Sequence, residues 1–459
     1  MAWQWQRHYW IYVVICLLLS AGIIVAVVLG VQSTNSDSST KEIEAKTKLD
    51  DDTGNEPLPK STSLTQLDGA VAVAAHHIGV IDGPVEDIPG VEARVPWKIQ
   101  AEIVVPSTLS QSFGFSMSRT DNYLLVGAPM DQSYGRVFIY QTDPATGFHL
   151  LKEFLFSFVG SPYQKAGYAL NHHLAAAPDF SATSDKTKSN EGALFMMSEF
   201  DTAEQLSVKR LTLDEKDGYS MVKFGQVFRY QAPWVYVTKR KVGRQRVYIY
   251  ELDQTEGLIL RQILEDNDSK EDLLGHGIEV SGDAQRLVLS DPFSNKILVY
   301  VRATAVSDYV LTQTLDLTHD YTDQEDFHQQ ISLSDDGQTL VISSADNQKV
   351  FVYRWQVSAF DRVQVLAPEP TLHTFFGMGL SLRQDGQALA VSESPDIKVV
   401  HAYLWSSSTQ QFEKDQTLNL SEFIPDTLMN PNVLWDSDNL YVCGQADTQH
   451  PGKVVWLSR

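Results

Sequence analysis

Five basic residues crowd the stretch 238–246, TKRKVGRQR: Lys239, Arg240, Lys241, Arg244 and Arg246. The chain around them is acidic, with a formal net charge of −22. Clustered guanidinium and ammonium groups recognise carboxylate, phosphate or sulfate through charge-assisted hydrogen bonds. The stretch is therefore the leading candidate ligand-binding site, for an anionic glycan, a phosphate or an acidic protein. The competing reading is a solvated hairpin tip, because like charges in sequence more often simply face water. Two acidic stretches stand opposite in sign, 265–272 (EDNDSKED) and 319–326 (HDYTDQED). A cation could sit there, but a surface kept soluble by charge is the plainer reading. His172, His173, His276 and His328 lack the spacing of metal ligands, as do His76 and His77, so no metal site is expected.

Catalytic signatures are missing from the sequence. It has no Gly-x-Ser-x-Gly elbow, no His-Glu-x-x-His and no phosphate-binding glycine loop. Carboxylates are too numerous for a catalytic pair to be picked out by spacing. No catalytic residue, no cofactor and no enzyme activity are expected. The acidic balance argues against nucleic acid as a partner, since phosphate backbones want a basic face. Cys16 and Cys443 lie far apart in the chain, one of them in an apolar run, so the folded part has no disulfide framework.

Residues 9–31, YWIYVVICLLLSAGIIVAVVLGV, carry no charge. A helix of that length spans about 30 Å, the hydrocarbon thickness of a bilayer. Trp3, Trp5, Tyr9, Trp10 and Tyr12 fit an interfacial belt. A cleaved signal peptide would have a shorter apolar core and a small-x-small site after it, so a retained signal anchor is expected. Arg7 and the amino terminus favour a cytoplasmic tail 1–8 and a main domain on the extracellular or luminal side. Residues 32–95 are mostly polar at first, then punctuated by Gly and Pro, and read as a largely disordered stalk. The sequons at Asn267 and Asn419 point weakly the same way.

The elements that would position the basic stretch are repeats. The clearest copy, 112–156, places SFGFSMS before LLVGAP and then RVFIY. Weaker copies follow at steps of about 50 residues, the length of a four-stranded propeller blade. Each opens at a glycine or its stand-in: Gly114, Gly167, Gly225, Gly275, His328, Gly377 and Met429. The glycine is expected where a side chain would crowd the propeller axis. Polar turns such as SDDGQ and RQDGQ suit tight hairpins. The seventh copy ends at Arg459 without a fourth strand, and residues 97–105, WKIQAEIVV, resemble one. Pairing them would close the ring and remove an exposed sheet edge.

This grammar resembles the FG-GAP repeat family of integrin α-chain propellers, most strongly over 113–129. The resemblance extends loosely over 97–459 and implies a propeller used for adhesion or ligand recognition. Calcium loops common in that family are not expected here, because RTDNY, SGDAQ, SDDGQ, RQDGQ and DSDNL lack three alternating oxygen ligands.

The fold class is thus all-β, one seven-bladed β-propeller over 96–459 behind a transmembrane helix and stalk. The expected function is a membrane-tethered recognition or adhesion module that binds a protein or glycan. The alternatives are a propeller hydrolase or lyase acting on glycans and a structural subunit of a membrane complex. Carboxylates converging with His, Tyr or Arg in the channel would favour the enzyme. By blade geometry the long insertion 178–192, the basic turn and the two acidic stretches should share one face.

Overall fold

The structure, a computed structural model, describes residues 96–104, 112–131, 135–155, 165–178, 192–198, 207–211, 224–241, 244–253, 255–265, 274–320, 329–368, 375–393, 399–424, 432–444 and 452–459. The candidate span 9–31, the stalk, His76, His77, Asn267 and His328 lie outside these residues. Among the described residues no helix is long and apolar enough to cross a membrane.

Among the described residues, alternating, β-branched segments form 28 strands in seven four-stranded antiparallel sheets. The outer strand of the last blade comes first in the chain, as β1 (Lys98–Val104). Blade one is β2 (Ser116–Thr120), β3 (Tyr123–Ala128), β4 (Arg136–Asp143) and β5 (Gly147–Leu155). Blade two is β6 (Ala169–Asn171), β7 (Leu174–Ala177), β8 (Ala193–Ser198) and β9 (Ser207–Arg210). Blade three is β10 (Phe228–Gln231), β11 (Trp234–Lys241), β12 (Arg244–Asp253) and β13 (Gly257–Leu264). Blade four is β14 (Ile278–Val280), β15 (Arg286–Asp291), β16 (Lys296–Val301) and β17 (Val310–Asp316). Blade five is β18 (Gln329–Leu333), β19 (Thr339–Ser344), β20 (Lys349–Gln356) and β21 (Ala359–Leu366). Blade six is β22 (Leu380–Leu382), β23 (Ala388–Glu393), β24 (Val399–Ser406) and β25 (Gln411–Asn419). Blade seven is β26 (Asn432–Asp436), β27 (Asn439–Gly444) and β28 (Lys453–Ser458), completed by β1.

First strands touch in the cyclic order β2, β6, β10, β14, β18, β22, β26 and back to β2. Each pair of neighbouring blades encloses its own apolar core, so seven cores form one ring. Closure occurs as the sequence predicts. β1 pairs antiparallel with β28 from Lys98↔Ser458 to Val104↔Lys453. Trp97, 2% exposed, packs edge-on against Trp435 at 5.2 Å, and Arg459 lies over its ring.

The repeat glycine has a different reason from the one expected. Gly114 sits in the turn before β2 with φ +88°, a region closed to most side chains. A Cβ there would lie 1.9 Å from Cys443 Sγ, on the neighbouring blade. What crowds it is the adjacent sheet rather than the propeller axis.

Candidate functional site

The basic stretch forms the far end of the β11–β12 hairpin, where Lys239 faces Arg246, Arg240 faces Gln245 and Lys241 faces Arg244. Lys239 and Arg246, paired directly across the hairpin, share one face of the sheet. Lys239 is only 5% exposed, with Nζ 5.0 Å over the Tyr248 ring. Arg246 makes a 3.0 Å ion pair with Glu265, the first residue of the acidic stretch 265–272. The side chains of Arg240, Lys241 and Arg244 lie outside the described residues. A five-residue solvated cluster is therefore not what the fold builds, for two of the five basic groups are engaged within the blade.

Register explains the burial of Lys239. In five blades the amide of the left-handed glycine donates to a second-strand carbonyl: Gly127, Ala176, Thr238, Ser290 or Ser392. The next residue is Ala128, Ala177, Lys239, Asp291 or Glu393, and all five are buried. Alanine fills the slot in the copies nearest the Gly-Ala-Pro motif. The three charged occupants each have a neighbour to meet them. Lys239 has the Tyr248 face, Asp291 accepts the Ser294 hydroxyl at 2.5 Å, and Glu393 lies 2.9 Å from His401 Nε2. The signal was present in the sequence as charged residues at the alanine position of the motif.

The insertion 178–192 springs from the equivalent hairpin of blade two, between the paired ends Ala177 and Ala193. Its feet are fixed. Lys165 N donates to Pro178 O at 3.1 Å, and a Cβ on Gly192 would lie 2.0 Å from the Phe224 carbonyl of blade three. Residues 179–191 lie outside the described set. Because the strands alternate in direction, second-to-third-strand loops and inter-blade loops leave every blade on one face. The described ends of the insertion, Pro178 and Gly192, the basic hairpin, and Glu265 and Asp320 of the acidic stretches belong to that face. Of the second acidic stretch, Asp320 is held by Arg362 at 2.6 Å and by Lys349 Nζ on its carbonyl at 3.2 Å.

The opposite mouth of the channel gathers titratable groups that spacing did not reveal. Arg229 on β10 and Glu279 on β14 form a 3.0 Å ion pair between blades three and four. Burial, assisted by the negative charge of Asp335, pushes the Glu279 carboxyl up to about 7, against the opposing pull of Arg229 and the Leu333 amide. His172 and His173, in the tight turn after β6, set their rings edge-on against Tyr230 at 6.0 and 5.2 Å. Desolvation holds both imidazoles below the ordinary histidine range. His276 lies elsewhere, in the turn before β14, so the three described candidate histidines do not share a site. Among the described residues no three His, Cys, Asp or Glu side chains are placed to hold a metal ion.

Much of this inner polarity braces the ring. Tyr230 N donates to Asn171 Oδ1, Leu382 N to Ser332 Oγ and Trp435 N to Ser381 Oγ, each from one blade to the previous one. The aspartates of the SGDAQ, SDDGQ and RQDGQ turns accept the amides of Gln285, Gln338 and Gln387. A second brace, missed in the sequence, runs round the rim. Gln262, Gln313 and Gln364 each exchange two hydrogen bonds with the backbone of Tyr309, Phe360 and Phe412 in the next blade. Gln416 accepts a single bond from Trp97 N. Its signal was a repeated Gln-x-Leu in RQILE, TQTLD, VQVLA and DQTLN.

No family model matches the chain, and no curated protein matches it. Among solved structures it is similar to the β-propeller domain of Cps50 (Swd1) from Myceliophteria thermophila, at 9% identity over 79% of this chain and 100% of that one, with a TM-score of 0.49. A Lactobacillus plantarum protein is 15% identical over 66% and 84% of the two chains, with a TM-score of 0.47. A candidate 6-phosphogluconolactonase from Bacteroides fragilis is 13% identical over 70% and 88%, with a TM-score of 0.46. Likeness at this level says nothing of activity. The seven-bladed propeller rests on the chain's own sheets, and it defines a class that includes both binding and enzymatic modules.

Proposed function

We infer that the chain is a membrane-tethered recognition module of FG-GAP type. It would bind an acidic protein or an anionic glycan through the face that carries the insertion 178–192 and the β11–β12 hairpin. The observation that supports this most directly is the Arg246–Glu265 pair, which joins the basic hairpin to an acidic stretch at one edge of that face. Positive and negative sectors then stand side by side, a pattern that orients a partner and sets its on-rate. The uncharged run 9–31 and the motif over 113–129 support the tether and the family. The ring is assigned to the extracellular or luminal side, and protease protection in sealed vesicles of native orientation tests that side.

The binding test avoids Lys239, whose burial confuses folding with recognition. Arg240→Ser, Lys241→Ser and Arg244→Ser together should weaken capture of heparin or an acidic protein and flatten its salt dependence. Thermal unfolding should not move. Unchanged capture and an unchanged salt slope would remove the hairpin as the site.

One observation favours a second reading, a hydrolase or lyase acting on glycans. Glu279 and Asp335 converge with Arg229 near Tyr230, and a carboxyl titrating near 7 suits general acid–base work. Turnover of a glycan that Glu279→Gln abolishes, in a variant that still folds, would establish it over the binding module.

A further inference from the structure

Among the described residues, two valines are the most exposed large apolar side chains: Val306 at 87% and Val357 at 102% of full exposure. They occupy corresponding turns, from third to fourth strand, in blades four and five. Val310 and Leu311, at 64% and 46%, extend the same corner from the Val306 turn into β17. The equivalent described turns after β4, β12 and β24 carry no large apolar residue: Pro-Ala-Thr, Gln-Thr-Glu (its Gln254 outside the described set) and Ser-Ser-Thr-Gln. Val357 is also an awkward choice for its backbone. It lies at φ +46° in the two-residue turn between the paired Gln356 and Ala359, where Gly or Asn is favoured and a β-branched side chain is strained. An apolar tip held in an unfavourable conformation points to a use for the tip.

The topology says what lies in front of it. The chain enters the ring at Lys98, opposite Ser458 at the end of β28. That end of blade seven belongs to the same face as the third-to-fourth-strand turns. The chain therefore enters blade seven on the face from which Val306 and Val357 project, and on the far side of the ring. A random chain the length of residues 32–95 has a reach on the order of 45 Å. Confinement within that reach raises the local concentration of a weak contact enough to populate it.

We propose that Val306 and Val357, flanked by Val310 and Leu311, rest on the bilayer in which residues 9–31 anchor the chain, orienting the ring with its loop-rich face outward. The inference rests on the tether in the proposed function. The bilayer surface is one of neutral headgroups. Exposed Asp283, Asp336, Asp385 and Asp438 line turns on this face, and an anionic surface would repel them. The tether at blade seven and the tips two and three blades away give two separated supports, which together fix the tilt of the ring.

The test uses the full chain in phosphatidylcholine vesicles, with Cys16→Ser, and an environment-sensitive dye on Val306→Cys, Val357→Cys or, on the opposite face, the exposed His319→Cys. Flotation with the vesicles reads the tether separately. The expected result is a blue-shifted emission and several-fold protection from aqueous iodide at 306 and 357, with neither at 319. Mixing in phosphatidylserine should weaken both effects. A chain that floats while 306 and 357 stay as wet as 319 overturns the contact alone. A chain that does not float overturns the tether and the contact with it. A shift that grows with the protein-to-lipid ratio assigns the tips to a second copy and also overturns the proposal. The variant Val306→Ser with Val357→Ser should unfold at the wild-type temperature and free the ring to tumble, seen as lower dye anisotropy at position 319.

Discussion

Blades four to six and blade two do the same job with different material. In blades four to six the second to fourth strands run six to nine residues and are rich in Val, Ile and Leu. Their inner turns bond to one another, Gly282 N to Asp335 O at 2.7 Å and Asp335 N to Gln384 O at 2.8 Å. Gln313 and Gln364 clasp the rims. In blade two the first, second and fourth strands have three, four and four residues, and the second is Leu-Ala-Ala-Ala. Alanine removes little apolar area from water, so that sheet holds less well by its own burial. It also carries the long insertion. A ring tolerates one poorly furnished blade because both neighbours clamp it, and such a sector is where loops can diversify without loss of the frame. Amide exchange should divide the molecule the same way, slow in β15, β19 and β23 and faster in β7.

The sharpest challenge to this contrast is Lys239→Glu, at the border of the irregular sector. It would bury a carboxylate against the face of Tyr248, and should cost about 3–5 kcal/mol, as for other uncompensated buried charges. Urea unfolding measures it, with Lys239→Met as the mild control. A loss below 1 kcal/mol would mean that Lys239 is a surface residue after all.

Acid should affect the two regions with opposite signs. Glu279 has its folded value raised from 4.5 to about 7, so the folded state binds the extra proton. Its contribution is complete below the unfolded value and is lost as pH rises towards 7. At about 1.4 kcal/mol per pKa unit a shift of that size is on the order of 3 kcal/mol. His172 and His173 are lowered, so their contribution is present at neutral pH and is lost as pH falls through the histidine range. In urea titrations between pH 4.5 and 7.5, Glu279→Gln should gain on the wild type as pH rises. His172→Asn with His173→Asn should gain as pH falls. Parallel curves for all three proteins would dissolve the contrast.

The rim clasps give a smaller effect. Gln313→Leu leaves Phe360 N and O to water at a partly exposed site and should cost about 1 kcal/mol. Gln313→Glu should rescue one of its two bonds. The smallest change in stability is expected from shortening residues 179–191 to a Gly-Ser turn. Loop closure varies by only about 0.6 kcal/mol per doubling of length. Binding through the loop face should respond far more than the unfolding midpoint, and the reverse result would make the insertion a structural part of blade two.

The fold was legible because repetition shows each blade several times over. The alternation in RVFIY, RVYIY, KILVY and KVFVY, the Asp-Gly turns and the missing outer strand at Arg459 were enough to specify seven blades closed by 97–105. The candidate site was legible only as a location. Charge clustering along 238–246 is one-dimensional, whereas the folded hairpin lays Lys239 over the Tyr248 ring of the same blade and leaves Arg246 to meet Glu265.

What the sequence determined by itself is local and periodic: strand positions, turn chemistry and the length of the repeat. These depend on residues within a few positions of one another. What only the tertiary structure decided is which side chains from different blades meet. Gly114 is required because Cys443, more than three hundred residues later in the chain, occupies the space beside it. Glu279 titrates near neutrality because the closed ring buries it and brings Asp335 beside it, against the opposing pull of Arg229. Closing the ring sets those distances, and no spacing along one strand encodes them.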